Sequence, residues 1–337
     1  MRSFFLVTLL ICTSLTSAMT FAEQVNIYSF RQPFLIDPIL AEFTKETGIK
    51  TKVIFSKKGL IQRLKREGEL SPADLVLTSD FSKLLQLKEQ GLSQSFELNS
   101  ELSTNIPSQF RDPDNNWIAL TKRVRNVYSS KERAGDLSNI RYEDLADESF
   151  KGRICTRSGK HPYNLGLVAS MIAHHGSAET ETWLRSVKSN LARKPQGNDR
   201  GQVKAIKEGL CDISLGNSYY LGKMLQDPKQ VAWANAVNLN FPNQQGRGSH
   251  INVSGAVIAK HAPHAKAAQQ LLEFLSANQA QNLYAELNME YPVSPSAQPS
   301  KLVQSWGEFK SDNLPLENIA KNRKLALKLI DKVHFDL

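Results

Sequence analysis

"VNIYSFRQPFLIDPILAEFTKETGIKTKVIFSKKGLIQRLKREGELSPADLVLTSDFSKLLQLKEQG", from Val25 to Gly91, alternates two hydrophobic periods. Val25–Phe30 is strand-like. The next run opens with Asp37 as a cap and Pro38 in the first helical turn; Ile39, Leu40 and Phe43 share one face, and Gly48 closes it. Ile49–Phe55 alternates as a strand does, Gly59–Gly68 reads as a short amphipathic helix, and Ala73–Thr78 as a buried strand. Asp80 then caps a helix that Gly91 stops. Strand and helix in strict turn predict an open, mostly parallel sheet. Ligands on such sheets lie beyond the carboxyl ends of the strands, where "YSFRQPF" and "LTSDF" fall.

A second series follows. Gly152–Arg157 reads as a strand, and Asn164–Gly176 as a helix with Leu165, Val168 and Ile172 on its apolar side. "QVKAIKEGL" is helical, "CDISLG" a strand, and "SYYLGKMLQ" starts another helix. Asn252–Lys260 is again a strand, ahead of paired helices around "AKAAQQLLEFLS" and "NQAQNLYAELN". A chain of 337 residues exceeds the size at which one core keeps growing. Two α/β lobes with a ligand cleft between them follow.

The first 22 residues read as an export signal: Arg2, an apolar run from Phe4 to Ile11, then small residues up to Ala22. Cleavage after Ala22, or after Ala18, removes Cys12; Ile11 beside Cys12 argues against a lipoprotein box. Export implies an oxidising compartment, in which Cys155 and Cys211 are expected to pair. Their spacing does not suit zinc, which needs four clustered ligands. The net charge of +9 is scattered, with no aromatics interleaved among the basic residues, which speaks against nucleic acid and leaves room for an anionic ligand. No 18-residue apolar run follows the leader, so no membrane insertion is expected. No G-x-S-x-G, H-E-x-x-H or P-loop motif is present, and nothing supplies a nucleophile with a base; the reading is not an enzyme.

The chemistry concentrates in tyrosines. Tyr219 and Tyr220 are adjacent at the first turn of a helix that follows a strand, and Tyr163 occupies the equivalent place after "GRICTR". Three of eight tyrosines thus sit at strand-to-helix loops of one lobe. A free phenol titrates near 10 and is neutral at pH 7, but a hard trivalent cation displaces its proton. Three phenolates would balance Fe³⁺ in formal charge and leave positions for water or a small anion. His161 is a further candidate for the cleft. His174 and His175 are expected to cap a helix end before Gly176.

The sequence resembles the ferric-iron-binding periplasmic proteins of ABC importers, class II solute-binding proteins. The resemblance is carried by Val25–Lys50, "SPADLVLTSD", "WIALTKRVR", "CTRSGKHPYNLGLVAS", "LARKPQGND", "GNSYYLGKM", Phe241–Pro263, "EYPV" and "GEFKSD". It implies a two-lobed periplasmic-binding-protein fold, each lobe a mostly parallel sheet flanked by helices, with residues 23–120 plus 251–290 in lobe one and 121–250 plus 291–337 in lobe two. It implies a monomer that binds Fe³⁺ through Tyr163, Tyr219 and Tyr220 and delivers it to an inner-membrane ABC permease. Arg123 of "TKRVR" would lie near the metal or its accompanying carbonate or citrate. Many members carry a histidine or tyrosine pair after the first strand; here Gln32 and Pro33 stand there, so water or an anion is expected in place of a first-lobe ligand. The alternative is a binding protein for a small organic anion, gripped by Arg123 and the phenols.

Overall fold

The computed structural model describes residues 23–337, so the expected export signal lies outside the described residues. The first block is β1 (Gln24–Ser29), α1 (Pro33–Thr47), β2 (Lys50–Phe55), α2 (Leu60–Glu67), β3 (Leu75–Thr78), α3 (Phe81–Glu89), β4 (Ser93–Gln94) and α4 (Ser100–Asn105). A long strand, β5 (Ile118–Ser130), leads to β6 (Ile154–Cys155), α5 (Pro162–Ser189), α6 (Asp199–Lys207), β7 (Ile213–Asn217), α7 (Tyr219–Leu225), α8 (Val231–Asn235) and β8 (Val237–Asn240). The chain returns through β9 (Ile251–Ala259), α9 (Ala265–Ser276), α10 (Asn278–Asn288) and β10 (Tyr291–Pro292), and ends in α11 (Lys301–Gln304) and α12 (Leu316–Lys332). Among the described residues no helix is long and apolar enough to cross a membrane.

Strand order is β2-β1-β3-β9-β5-β7-β6. The parallel pairs are β1/β2, β1/β3 and β6/β7, as the alternating pattern predicts. The centre departs from it: β9 runs antiparallel to both β3 and β5, and β5 antiparallel to β7 and β8. The sheet is therefore mixed rather than mostly parallel. Strand β5 makes the connection, since Ile118–Val124 pair with β9 while Arg125–Asn217 begins its pairing with β7. Gly255 faces the irregularity in β5, and a Cβ there would meet the Ile118 carbonyl oxygen at 2.1 Å, so only glycine permits the approach.

Helix α1 starts a turn earlier than the sequence suggests. Pro33 supplies its first turn, its fixed φ suiting that position, while Asp37 and Pro38 lie inside the helix. Ile39, Leu40 and Phe43 are buried, each worth about 1.5–3 kcal/mol on the transfer scale, and Gly48 closes the helix in the left-handed region. Within α5 two helices meet: Gly176 (φ 78°, ψ 172°) is non-helical and ends the first where the sequence suggests, and a second runs on to Ser189. His174 and His175 do not cap that end with their side chains, whose Nε2 atoms instead meet Asp312 at 2.7 Å and Glu143 at 2.8 Å. Helix α12 packs along α5 and touches α3.

The expected disulfide is present. Cys155 and Cys211 are bridged, with Cα atoms 5.8 Å apart, in a cluster with Tyr128, Val203, Ile206 and Met224. It ties the strand before Tyr163 to the strand before Tyr219. Closing a loop of 56 residues stabilises by about 4 kcal/mol in the chain-entropy model. Cys155→Ser is therefore expected to lower the melting temperature of the oxidised protein by several degrees in calorimetry; an unchanged transition would show that the bridge adds nothing.

Candidate metal centre

Arg123 and Arg125 are two residues apart on β5, so their side chains leave the same face of the strand. Both are buried, and they stand where β5 passes from β9 to β7: Arg123 opposite Asn252, Arg125 opposite Asn217. Arg123 donates Nη2 to the Ser79 carbonyl at 2.6 Å and lies 3.7 Å from Glu290, which also binds Arg31 at 3.1 Å. Arg125 donates to Asp199 at 2.6 Å, to Asn217 at 3.1 Å and to Asn164 at 2.6 Å. The two guanidiniums thus serve separate clusters, one beneath each side of the tyrosines.

The tyrosines divide cleanly. Tyr28, Tyr128, Tyr142, Tyr284 and Tyr291 are buried; Tyr163, Tyr219 and Tyr220 are half-buried. Tyr28 is a core residue, its hydroxyl on both oxygens of Glu67. Tyr128 and Tyr142 donate to the carbonyls of Asn217 and Arg125. Tyr219 and Tyr220 open α7 directly after β7, and their rings stack at 4.1 Å with 33° between planes. Successive helical side chains normally diverge by about 100°, but at the first turn both phenols turn to one side. The turn is pinned to β5, since the Ser218 amide donates to the Val124 carbonyl at 3.0 Å. Tyr163 sits one residue into α5, behind Pro162. The guanidinium of Arg123 lies 6.0 Å from the Tyr219 ring, and those of Arg125 and Arg157 lie 5.9 and 5.5 Å from the Tyr163 ring.

Electrostatics couples the three phenols. Burial raises Tyr219 well above the ordinary phenol value, and the neighbouring Tyr163 and Tyr220 raise it further while Arg123 opposes them. Burial, Tyr163 and Asp199 push Tyr220 up to about 12. Charging one phenol therefore disfavours charging the next, and Tyr219 and Tyr220 are neutral at pH 7 without a metal. Only a strong local cation would reverse this. Burial works against the charge of Arg123, yet Glu290, Tyr163, Tyr219 and Asp80 together raise it, so it stays a cation. His161 packs edge-on against Tyr163 at 4.6 Å, and its Nδ1 accepts from the Tyr163 amide; burial and Arg157 push it down to about 4, so it is a neutral cap.

Asp80 caps α3 as expected: one oxygen accepts from the Ser82 amide at 2.9 Å, the other from Asn252 at 2.7 Å. Gln32 is exposed at the start of α1 and makes no side-chain cap. Three groups were not singled out from sequence: Glu290, Arg31 and the Arg125–Asp199 pair. The signal for the last was two arginines at strand spacing inside a strand-like run, "IALTKRVRNVYSS". Cavity size alone points elsewhere, because a hollow of about 500 Å³ is walled by Phe110, Ile251 and Leu316 around Lys122. Lys122 and Arg123 are successive strand residues and face opposite ways, so that hollow is on the far side of β5. The convergent oxygens are at the tyrosines.

Two α/β halves joined by crossing strands, with polar groups gathered at strand-to-helix turns, are the build of a solute-binding protein. The chain belongs to the bacterial extracellular solute-binding protein family, whose model matches residues 70–309. It is 40% identical to iron uptake protein A1 of Synechocystis over 92% of this chain and 87% of that protein. Its fold matches ferric iron-binding protein A of Mannheimia haemolytica in an open conformation, with TM-score 0.89 and 54% identity, over 94% of this chain and all of that one. It also matches the Trichodesmium protein IdiA (FutA) in complex with iron and citrate, with TM-score 0.88 and 38% identity, over 93% and 99% of the two chains. These relatives are iron-binding transport proteins and not enzymes.

Proposed function

We propose that this protein captures ferric iron on the phenolates of Tyr163, Tyr219 and Tyr220 and carries it, as a periplasmic monomer, to an inner-membrane ABC permease. One observation carries the reading: these three of the eight tyrosines are half-buried and electrostatically coupled, and the side-chain hydrogen bond between Tyr219 and Tyr220 keeps their hydroxyls within the cluster rather than tied to the core. Relatives named for ferric iron support it. Phenolate oxygen suits a hard trivalent ion, and iron's charge supplies what the neutral cluster lacks. The lobes would divide as residues 23–120 plus 251–290 and 121–250 plus 291–337. Gln32 and Pro33 offer no strong ligand from the first lobe, so the remaining positions would go to water, carbonate or citrate.

The charge around Arg123 favours such an anion. Arg31, Arg123 and Arg323 are set against Glu290 and Asp80, and among the described residues the Nε atoms of Arg31 and Arg123 are buried without a partner. A surplus cation with idle donors in a buried site is costly until an anion completes it. Arg123→Met is expected to abolish the dependence of iron retention on added carbonate or citrate; equal dependence in the variant would place the anion elsewhere.

The test of the function is a visible titration of metal-stripped protein with ferric citrate. A phenolate-to-iron charge-transfer band saturating near one equivalent is expected. The surplus positive charge also favours a second reading, in which an organic anion is itself the cargo. Citrate binding by calorimetry, with no band on adding iron, would support that instead.

A further inference from the structure

We propose that Arg125 is the positioning residue of the tyrosine site, a single guanidinium that fixes the spacing of the three segments around the phenols. The inference rests on the reading of the tyrosines as iron ligands. Asn164, which accepts from Arg125 Nη2 at 2.6 Å, follows Tyr163 in the chain. Asn217, which accepts from Nη1 at 3.1 Å, is two residues before Tyr219. Asp199, at 2.6 Å from the same nitrogen, opens α6 and accepts the Asn217 amide at 3.1 Å with that oxygen. Its other oxygen takes Arg157 at 3.2 Å.

Each arm is fixed in turn. Asn164 Nδ2 donates to Thr156 Oγ1 and to the Arg157 carbonyl, both at 3.0 Å, which locks the loop entering α5. Tyr128 holds the Asn217 carbonyl at 2.9 Å from below, and the disulfide joins the strands beneath the two loops. Arg125 thus reaches both the Tyr163 segment and the Tyr219–Tyr220 segment, and Asp199 backs it by holding Arg157 and the Asn217 amide.

Stability gives little reason to keep this group. Arg125 and Asp199 are buried, and a buried ion pair is often no more stabilising than well-packed apolar residues of like volume. What apolar packing cannot supply is direction: a planar fork with several fixed donors sets distances among three loops at once. Lysine keeps the charge but donates from one point, so it cannot span the same acceptors. Groups behind metal ligands are typically worth 10- to 100-fold in metal affinity or activity, roughly, because they orient the atoms that bind.

The experiment compares wild type with Arg125→Lys, Asn164→Ala and Asn217→Ala, each metal-stripped and then loaded from ferric citrate. The readouts are the position and intensity of the charge-transfer band and the rate of iron loss to excess EDTA, with far-UV circular dichroism and thiol counting as checks of fold and disulfide. Expected are a displaced or weakened band and iron loss faster by about 10- to 100-fold in Arg125→Lys, with smaller changes of the same sign in the asparagine variants. The asparagine variants cut one tie each, so the test stands even if the lysine variant does not fold. Folded variants with the wild-type band and release rate would overturn the inference alone. A wild type that shows no band removes the tyrosine site, and the positioning role with it.

Discussion

Tyr219→Phe and Tyr220→Phe are each expected to weaken iron retention by more than the roughly 10- to 100-fold that groups behind a ligand are worth, while leaving the fold intact. The substitution removes one oxygen whose hydrogen-bond partner is the neighbouring, half-exposed phenol, so no core group is orphaned. The ring stays and keeps its stack at 4.1 Å. Loss of a phenolate removes a negative ligand from a trivalent ion inside a partly dry site, where charge counts most. Tyr163→Phe should act likewise and shift or fade the band, since it is the phenol from the other segment. Tyr28→Phe is the control: its hydroxyl donates to Glu67 in the core of the first block, so the variant should lose stability but keep the tyrosine-iron band. The measurement is band intensity per equivalent of iron alongside the melting curve. A Tyr219→Phe or Tyr220→Phe protein that binds as tightly as wild type would remove that residue from the site.

Iron uptake at pH 7 is expected to release about three protons per ion, one from each phenol, since ligands must be deprotonated to bind. The sign follows from where the metal-free phenols titrate. Tyr220 is pushed up to about 12 and Tyr219 higher than an ordinary phenol, chiefly by burial, so both are protonated throughout the neutral range. Lowering the pH therefore favours release, with apparent affinity falling by up to about 1000-fold per pH unit while three phenols take up protons. The same shifts work the other way on the metal-free protein. A phenol whose folded value is raised resists ionising, so stability is lost as pH climbs above about 10, where the unfolded chain ionises first. Calorimetry in buffers of different ionisation enthalpy counts the protons. Fewer than two per iron would mean that the phenols do not all bind as phenolates.

Much of this arrangement is legible in the sequence because it is local. The alternation of strand and helix, the Asp80 cap, the Gly48 stop and the place of Tyr219–Tyr220 at a strand-to-helix turn each rest on residues within one or two turns. Local signals also compete, and α1 shows it: Pro33 and Pro38 both suit a first turn, and the earlier one prevails. The antiparallel centre was not legible, because β5 pairs with strands far along the chain, as Ser254 on Thr121, 133 positions apart, shows. Arg31 and Glu290 lie 259 residues apart, so their pairing leaves no spacing to read. The disulfide was accessible only through an argument about compartment. The role of Arg125 is hidden in the sequence by its neighbour, since Arg123 is the arginine that the family resemblance sets near a metal.

The path of β5 and β9 also sets the order in which the molecule can be made. Strand β3 has β1 on one side, but its other edge is completed only by β9, residues 251–259. A growing chain thus holds its first sheet with an open edge until three-quarters of the residues have been synthesised, and pairing across such separations is slow. An open edge is also a site for wrong pairing with another chain. Removing the last hundred residues should accordingly leave two unfinished halves rather than one sound domain and one absent one. The molecule comes of age all at once, when a late strand arrives to join what early strands began.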